Sequence, residues 1–599
     1  MMPTTAHPFN TISKVLIANR GEIAVRIAHT CSDVGLTSVA IYADPDADSL
    51  HVRVSDEAYS LEGVSVPETY INIDKILEIA KRCGADAVHP GYGFLAERAE
   101  FARAVRDAGL VWIGPDPETI ALLGDKVAAR QIAEKVGAPL VRGSDGIVPD
   151  APSAVKVAEE LGLPIAIKAV SGGGGRGMRV VHELSQVESA FSAAVREADA
   201  AFGNGDCYVE EFLEWPRHVE AQIIADTHGN VRSLGTRDCS LQRRNQKLVE
   251  EAPAPFLTEE QEARILESAK EIFRETGYVG VGTVEYLLGE SGTISFLEVN
   301  TRIQVEHTVT EAVTGVDMVL AQLQIADGQE LHITEDIQPN GHAFEFRINA
   351  EDVGRGFLPA TGTIEAFDPP TGTGMRIDTG VHTNSVVSGI YDSMLAKVIV
   401  SGVSRQHALQ RARRALKELH IEGITTVLPF HRAILEREEF TSDEGLGVYT
   451  TWIEQEFTES MASDPAFKQV VPGQERTRFM IDIDGRNVKL GLPAAFMRAL
   501  LSGGGGGGGG DDLAFTGDPA DVDPASIPEL GSPVTGVVQR IDVEEGQSVE
   551  EGETVMVLEA MKTETKAAAH RSGIVKEIRV QVGDQVSADD PLVVIEPEE

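Results

Sequence analysis

Several side chains able to bind or move charge stand within one short stretch, FLEVNTRIQVEH (296–307). Glu298 and Asn300 are two residues apart on a strand-like run and therefore share a face, and Glu285 lies in a second such run, VGTVEYLL. Carboxylates inside apolar strands are costly unless they are paired or hold a cation. Two carboxylates and an amide oxygen converging from neighbouring strands suit Mg²⁺ (or Mn²⁺), which leaves its other positions to water and phosphate oxygens. Just beyond, Arg302, Gln304 and the Val305 backbone offer a guanidinium, an amide and a main-chain N–H to a small planar anion. Glu306 beside them is placed to take a proton as a general base. A surface salt bridge is the plainer reading of Arg302 alone; its place beside the metal candidates favours the anion site.

Two other segments point to phosphate or another anion. PIAIKAVSGGGGRGMRVV (164–181) reads as strand, glycine loop, strand, with Lys168 on the first strand and Gly172, Gly173, Gly174 and Gly175 in the loop. Free backbone N–H groups in such a loop can wrap a triphosphate. It is not a P-loop, because it lacks GK[ST] and no helix follows; a plain glycine-rich hairpin is the alternative. RDCSLQRRNQKLVEEAPAP (237–255) is a basic island, with Arg243, Arg244 and Lys247, in a chain of formal net charge −42. Local positive charge against a negative field suits an anionic ligand such as nucleotide phosphate or bicarbonate. The alternative is a helix face paired to Glu250 and Glu251.

The C-terminal region carries an internal repeat of period 37. Gly536, Val537, Val538, Ile541, Val543, Gly546, Val549, Val557 and Leu558 match Gly573, Ile574, Val575, Ile578, Val580, Gly583, Val586, Val594 and Ile595. Two such halves predict a small flattened barrel of approximate twofold symmetry. EAMKTE (559–564) lies between them and places Lys562 at a solvent-facing turn. Before the repeat come eight consecutive glycines, Gly503 to Gly510, and a Gly, Pro and Asp-rich stretch that cannot bury a core. As a flexible coil this linker spans about 30 Å, so Lys562 reads as the tip of a carrier arm.

The elements that must position these residues follow from apolar periodicity. KVLIA (14–18), ADAVHP (85–90) and LVWIGP (110–115) read as buried strands separated by helical stretches, an open parallel α/β sheet over 11–124. Its first turn lacks GxGxxG spacing, so a dinucleotide site is not supported. The chain is expected to divide into that domain, a domain over 125–345 that carries the glycine loop and the metal candidates, and a mixed α+β domain over 346–460. A β-containing segment over 461–501, the linker over 502–530 and an all-β domain over 531–599 complete it. TRFMIDIDGRNVKLGL (477–492) reads as a hairpin around Asp-Gly, either a docking module or an extra edge of the main body. With 599 residues, 42% hydrophobic and 24% charged, the chain is multidomain and globular. Its charge argues against nucleic acid and anionic membrane as partners. Four scattered cysteines without a CxxC pair, no signal peptide and no long apolar run predict free thiols in a cytoplasmic protein.

Taken together, KVLIANRGEIAVRI, HPGYGFLAE, SGGGGRGM, RDCSLQRR, EEAPAP, FLEVNTRIQVEHTVTE, RINAED and YDSMLAK resemble the biotin carboxylases of the ATP-grasp superfamily over about residues 11–450. The EAMKTE tail resembles a biotinyl carrier domain, so the chain resembles the fused alpha subunits of acetyl- or propionyl-CoA carboxylases. The resemblance implies an ATP-grasp domain over 125–345, biotin attached to Lys562, and ATP held by Lys126, Lys168, Gly172 to Gly175, Glu210, Leu213, His218, Gln242 and Asn245 under a lid of about residues 141–212. It implies two Mg²⁺ on Glu285, Glu298 and Asn300, and bicarbonate on Lys247, Arg302, Gln304 and Val305. Glu306 would deprotonate bicarbonate for attack on the γ-phosphate, giving carboxyphosphate. Arg347 would stabilise the biotin enolate as it attacks CO₂.

Three positions depart from the family pattern: Asn245 where His is frequent, Ala96 and Arg98 where Ser and Asn are usual, and Thr563 after the carrier lysine where Met is commonest. The implied partners are a separate carboxyltransferase (beta) subunit, docking through residues 460–500, a biotin protein ligase, and further copies in a larger alpha–beta complex. The competing readings are another ATP-grasp ligase, against which the carrier repeat argues, and a non-catalytic carrier or scaffold, against which the intact charged set argues. For the tail alone a lipoyl domain is the rival, but AMK favours biotin.

Overall fold

The computed structural model describes residues 9–170, 178–202, 204–458, 467, 476–483, 486–493, 529–561, 563–588 and 590–597. Gly172, Gly173, Gly174, Gly175 and Lys562 therefore lie outside the described residues, as do most of 461–501 and the linker up to residue 528.

The N-terminal part is an all-parallel five-stranded sheet. Its strands stand in the order Glu57–Ser60, Thr37–Tyr42, Lys14–Ile17, Ala87–His89, Val111–Trp112. Val15, Leu16 and Ile17 are wholly buried, as a strand covered by helices on both faces requires. The helix Gly21–Asp33 follows the first strand at once and turns Glu22 into the molecule.

An eight-stranded antiparallel sheet forms the centre. Its order is Ile294–Asn300, Gly280–Leu288, Arg217–Ala225, Val231–Arg243, Gln246–Ala252, His342–Asn349, Met394–Gly402, Met375–Thr379. The sheet is continuous across the nucleotide-binding and C-terminal regions, and the boundary read at 345/346 falls inside the strand His342–Asn349. The helix Glu259–Thr276 covers one face. It starts at a reciprocal Thr258–Gln261 capping box, stops at the left-handed Gly277, and buries Ile265, Ala269, Ile272 and Phe273.

A separate three-stranded sheet, Met178–Val181, Ile165–Ala169, Cys207–Glu211, is backed by the helices Ala151–Leu161 and Val187–Phe202 and has its own core. Arg476–Ile483 pairs antiparallel with Arg486–Pro493. All four cysteines are free and buried. Among the described residues no helix is long and apolar enough to cross a membrane.

The C-terminal domain consists of two four-stranded antiparallel sheets enclosing one core. The 37-residue repeat is visible in its strands: Gly536–Ile541 corresponds to Gly573–Ile578, and Thr554–Ala560 to Pro591–Glu596. The repeated glycines have a steric cause. A side chain on Gly536 would run into the Glu559 carbonyl, and one on Gly573 would run into the equivalent Glu596 carbonyl. Ala560 pairs with Thr563 across the sheet, and Met561 follows Ala560 where the first of these strands ends.

Candidate active site

Adjacent strands of the central sheet bring the charged side chains together. Glu285 lies opposite Glu220 on one side and Glu298 on the other, while Thr283 lies opposite Asn300. Lys247 reaches over this floor and donates to Glu306 Oε1 at 2.6 Å, Glu220 Oε2 at 2.7 Å and Glu285 Oε1 at 2.9 Å. Arg347, from the next strand, donates to Glu250 Oε1 at 2.5 Å and to Glu306 Oε2 at 2.8 Å. Glu306 is thus gripped through both oxygens by two cations.

The loop after Asn300 closes the other side. Arg302 donates to Asn300 Oδ1 at 3.0 Å and lies 3.0 Å from Glu97. Gln304 and Asn300 both donate to Glu285 Oε1, at 2.8 and 2.9 Å. The Val305 carbonyl accepts from the buried Lys397 at 2.9 Å, and the same ammonium pairs with Glu22 at 3.1 Å.

These contacts set the proton affinities. Burial opposes the charge of Glu306, but Lys247, Arg347 and Arg237 outweigh it and hold the carboxyl well below the ordinary range. At Glu285 burial is likewise outweighed, by Lys247 and His218. Glu250 goes the other way: burial, aided by the charge of Glu306, pushes it up to about 7 against the pull of Arg347. Glu298 is raised by burial and by the neighbouring Glu285 charge.

That last pairing tests the fit of a divalent cation. His218, Glu220 and Glu285 lie within ligating reach of one another, but Lys247 already holds one oxygen of Glu220 and one of Glu285. Glu298 faces the charge of Glu285 across the pair, a repulsion that a cation between them would relieve. The residues present therefore fit Mg²⁺.

The nucleotide candidates are spread over the ends of two interior strands of the central sheet, the small three-stranded unit and the segments beside them. Lys168 pairs with Glu210 across two lid strands, and Arg130 holds the other Glu210 oxygen at 3.1 Å. His218 lies 3.0 Å from Glu285, and Gln242 donates to the Cys239 carbonyl and lies 3.3 Å from His218 Nδ1. Leu213 lies against Gly289. Lys126 opens the helix Lys126–Lys135, and its charge lowers Glu298.

The basic island is a β-hairpin and not a helix face. Arg243 pairs with Gln246 across a two-residue turn, Arg244 and Asn245, both with positive φ (48° and 64°), which suits the twist of the strands it joins. Only Lys247 of the three basic residues points into the charged cluster. Arg243 lies over the Phe357 ring, and the Arg244 N–H is bonded to Glu454. Asn245 is exposed at the tip. Glu250 and Glu251, the acidic partners of the helix alternative, instead hold Arg347 and the pair His342 and Arg405. Ala96 is buried, and Arg98 is paired with Glu100 at the surface.

The structure adds residues that sequence reasoning did not single out. Arg237 is fully buried, and its three nitrogens donate to Glu220 at 2.5 Å, Gln222 and Gln304 at 2.7 Å, Thr310 at 2.9 Å and Thr283 at 3.2 Å. A signal for this existed: His218, Glu220 and Gln222 recur at every second residue of a strand whose other residues after Arg217 are apolar. Glu22 and Lys397 had no such signal.

Comparison with known proteins gives the arrangement a context. Four family models match in chain order. They are the biotin carboxylase N-terminal domain (residues 11–120), the ATP-binding domain of the carbamoyl-phosphate synthase L chain (125–334), the biotin carboxylase C-terminal domain (345–455) and the biotin-requiring enzyme domain (524–595). The biotin-dependent acyl-coenzyme A carboxylase alpha3 subunit of Mycobacterium leprae is 50% identical, over 97% of this chain and 98% of its own. A Nostoc biotin carboxylase is 47% identical over 71% of this chain and 96% of its own. Among solved structures, a Campylobacter jejuni biotin carboxylase complex is similar with a TM-score of 0.70 at 40% identity, covering 74% of this chain and 98% of that one. The biotin carboxylase domain of a Hydrogenobacter thermophilus 2-oxoglutarate carboxylase, in complex with MgADP, ADP and bicarbonate, has a TM-score of 0.69 at 42% identity, covering 74% of this chain and 98% of that one. With half its residues shared across nearly its whole length, and a carboxylase body followed by a carrier, the chain belongs to the biotin-dependent carboxylases, as a biotin carboxylase fused to its own biotin-carrier domain.

Proposed function

We propose that the chain uses ATP to carboxylate biotin attached to its own Lys562, and that a separate carboxyltransferase subunit passes the carboxyl group to an acyl-CoA, acetyl- or propionyl-CoA. The observation that carries this reading is Glu306, bridged by Lys247 and Arg347, with Arg302 and Gln304 held beside it by Asn300 and Glu285. Lys126, Lys168, Gly172 to Gly175, Glu210, Leu213, His218 and Gln242 would hold ATP, Glu285, Glu298 and Asn300 the Mg²⁺, and Lys247, Arg302, Gln304 and the Val305 N–H bicarbonate. When bound, ATP supplies the phosphoryl group that activates bicarbonate, Mg²⁺ neutralises phosphate charge, and biotin accepts the carboxyl carbon.

The protein's own residues do the positioning and the proton work. A carboxylate held as low as Glu306 is a weak base. Bicarbonate changes this, because the anion gives Lys247 a new partner and loosens one of the two grips on Glu306. Its basicity then rises where the proton of bicarbonate has to go. Arg347, steadied by Glu250, keeps a fixed guanidinium beside the reaction, ready for negative charge that develops on an oxygen.

The name of the M. leprae relative supports the acyl-CoA acceptor and the partner subunit. A biotin protein ligase would load Lys562, further copies would join a larger alpha–beta complex, and the cytoplasm would house it. The test is ATP-dependent incorporation of labelled bicarbonate into the biotinylated chain beside Lys562→Ala. Label is expected in the first and none in the second. A biotinylated wild type that takes no label with Mg²⁺ and ATP, alone or with its carboxyltransferase, would overturn the reading.

A further inference from the structure

Met561 stands at the connection between two carrier strands, where a side chain of an isolated barrel would face water, yet it is only 5% exposed. It belongs to an apolar cluster other than the carrier core. The other buried members of that cluster are Ala350, Ile364, Val387, Leu395 and Ile424, all from the C-terminal region of the carboxylase. The contact is polar as well as apolar. The Met561 N–H donates to the Gly389 carbonyl at 3.3 Å, and Arg355 donates to the Pro533 carbonyl at 3.2 Å. Leu358 packs against the carrier core, and a Cβ on Gly389 would lie 3.1 Å from the Thr535 carbonyl.

The place of this contact matters as much as its existence. Ala350 follows, by three residues, the Arg347 that grips Glu306, and its N–H is fixed to the Ser393 carbonyl at 2.7 Å. Met561 precedes Lys562. The apolar pocket therefore lies at the end of the catalytic strand, and the residue seated in it is the immediate neighbour of the carrier lysine. An unbranched, polarisable thioether fills an irregular socket without demanding one rotamer, as repeated seating and release require.

We propose that Ala350, Ile364, Val387, Leu395 and Ile424 form a docking socket by which the carboxylase half receives the carrier domain of the same chain, with Met561 as the knob that seats it. This rests on the reading of Lys562 as the biotin site. Burying one methionine strengthens an association by roughly 10- to 100-fold, enough to orient a tethered domain and too little to trap it.

The test compares two substrates in one protein, the full biotinylated chain. Val387→Asp places a charge in the socket away from Glu306 and Arg347. It is expected to slow ATP-dependent carboxylation of the attached biotin at least tenfold while leaving carboxylation of added free biotin within twofold of wild type. Equal rates on attached biotin, or equal losses on both substrates, would overturn the proposal. A second measurement needs no catalysis: the pair Gly389→Cys and Thr535→Cys should form a disulfide within one chain under mild oxidation, with lower yield when Met561→Asp is added. No cross-link in the folded chain, or one that joins two chains, would overturn it. If the wild type carboxylates neither biotin but the Cys pair still cross-links, the catalytic reading fails and the docking stands.

Discussion

Glu306 draws its resting state from Lys247 and Arg347, so substitutions there separate charge from shape. Glu306→Gln keeps the side-chain volume and removes the base, and bicarbonate-dependent ATP hydrolysis is expected to fall about 10²- to 10⁴-fold. A variant retaining a tenth of wild-type turnover would sink the general-base role. Arg237 acts through others. It holds Glu220 and Gln304, which in turn face Lys247 and Glu285. Arg237→Met strips a buried carboxylate of a partner and is expected to destabilise the chain by about 3–5 kcal/mol, read as a lower denaturant midpoint. An unchanged midpoint would show that Lys247 alone satisfies Glu220.

The hairpin joining Val231–Arg243 to Gln246–Ala252 carries Lys247 into place, and its two-residue turn needs positive φ at both positions. Asn tolerates that conformation and a β-branched residue does not. Asn245→Gly should leave both stability and the KM for ATP unchanged, whereas Asn245→Val should cost about 1–2 kcal/mol in unfolding measurements. A large rise in KM for ATP with Asn245→Gly would instead assign the side chain to the nucleotide. Elements such as these show where sequence reasoning reached and where it stopped. The strands bearing Glu285, Glu298 and Asn300 were readable because their alternation is local. The same alternation of His218, Glu220 and Gln222 was present and overlooked. The basic island was left open between a ligand site and a helix face, because its turn residues carry no glycine and their left-handed geometry shows only in the backbone. Lys397 and Glu22 were beyond reach, since the partners of each lie far away along the chain.

Buried neutral histidines give the whole molecule a pH dependence. Burial, the largest influence at each, lowers His51 and His431 from 6.5 to about 4. The unfolded chain then binds protons at higher pH than the folded one, so stability is complete above 6.5 and is lost as pH falls towards 4. Each full shift represents roughly 3 kcal/mol. One histidine lies in the N-terminal region and the other, bonded to the Arg347 carbonyl, in the C-terminal region. Both regions are expected to melt earlier across that window by calorimetry, and a flat melting temperature would refute the burial argument. The Lys397 ammonium, finally, belongs to one region, its counter-ion Glu22 to a second, and the Val305 carbonyl it holds to a third. The loop that carries Val305 is therefore common property of three segments that the family models delimit separately. Dissection along those boundaries would not yield a smaller enzyme: a fragment of residues 125–345 would keep most of the proposed nucleotide residues and lose the Lys397 anchor of the Val305 loop. In this chain the three carboxylase segments are tied together by one buried ammonium, and a cut between them severs that tie.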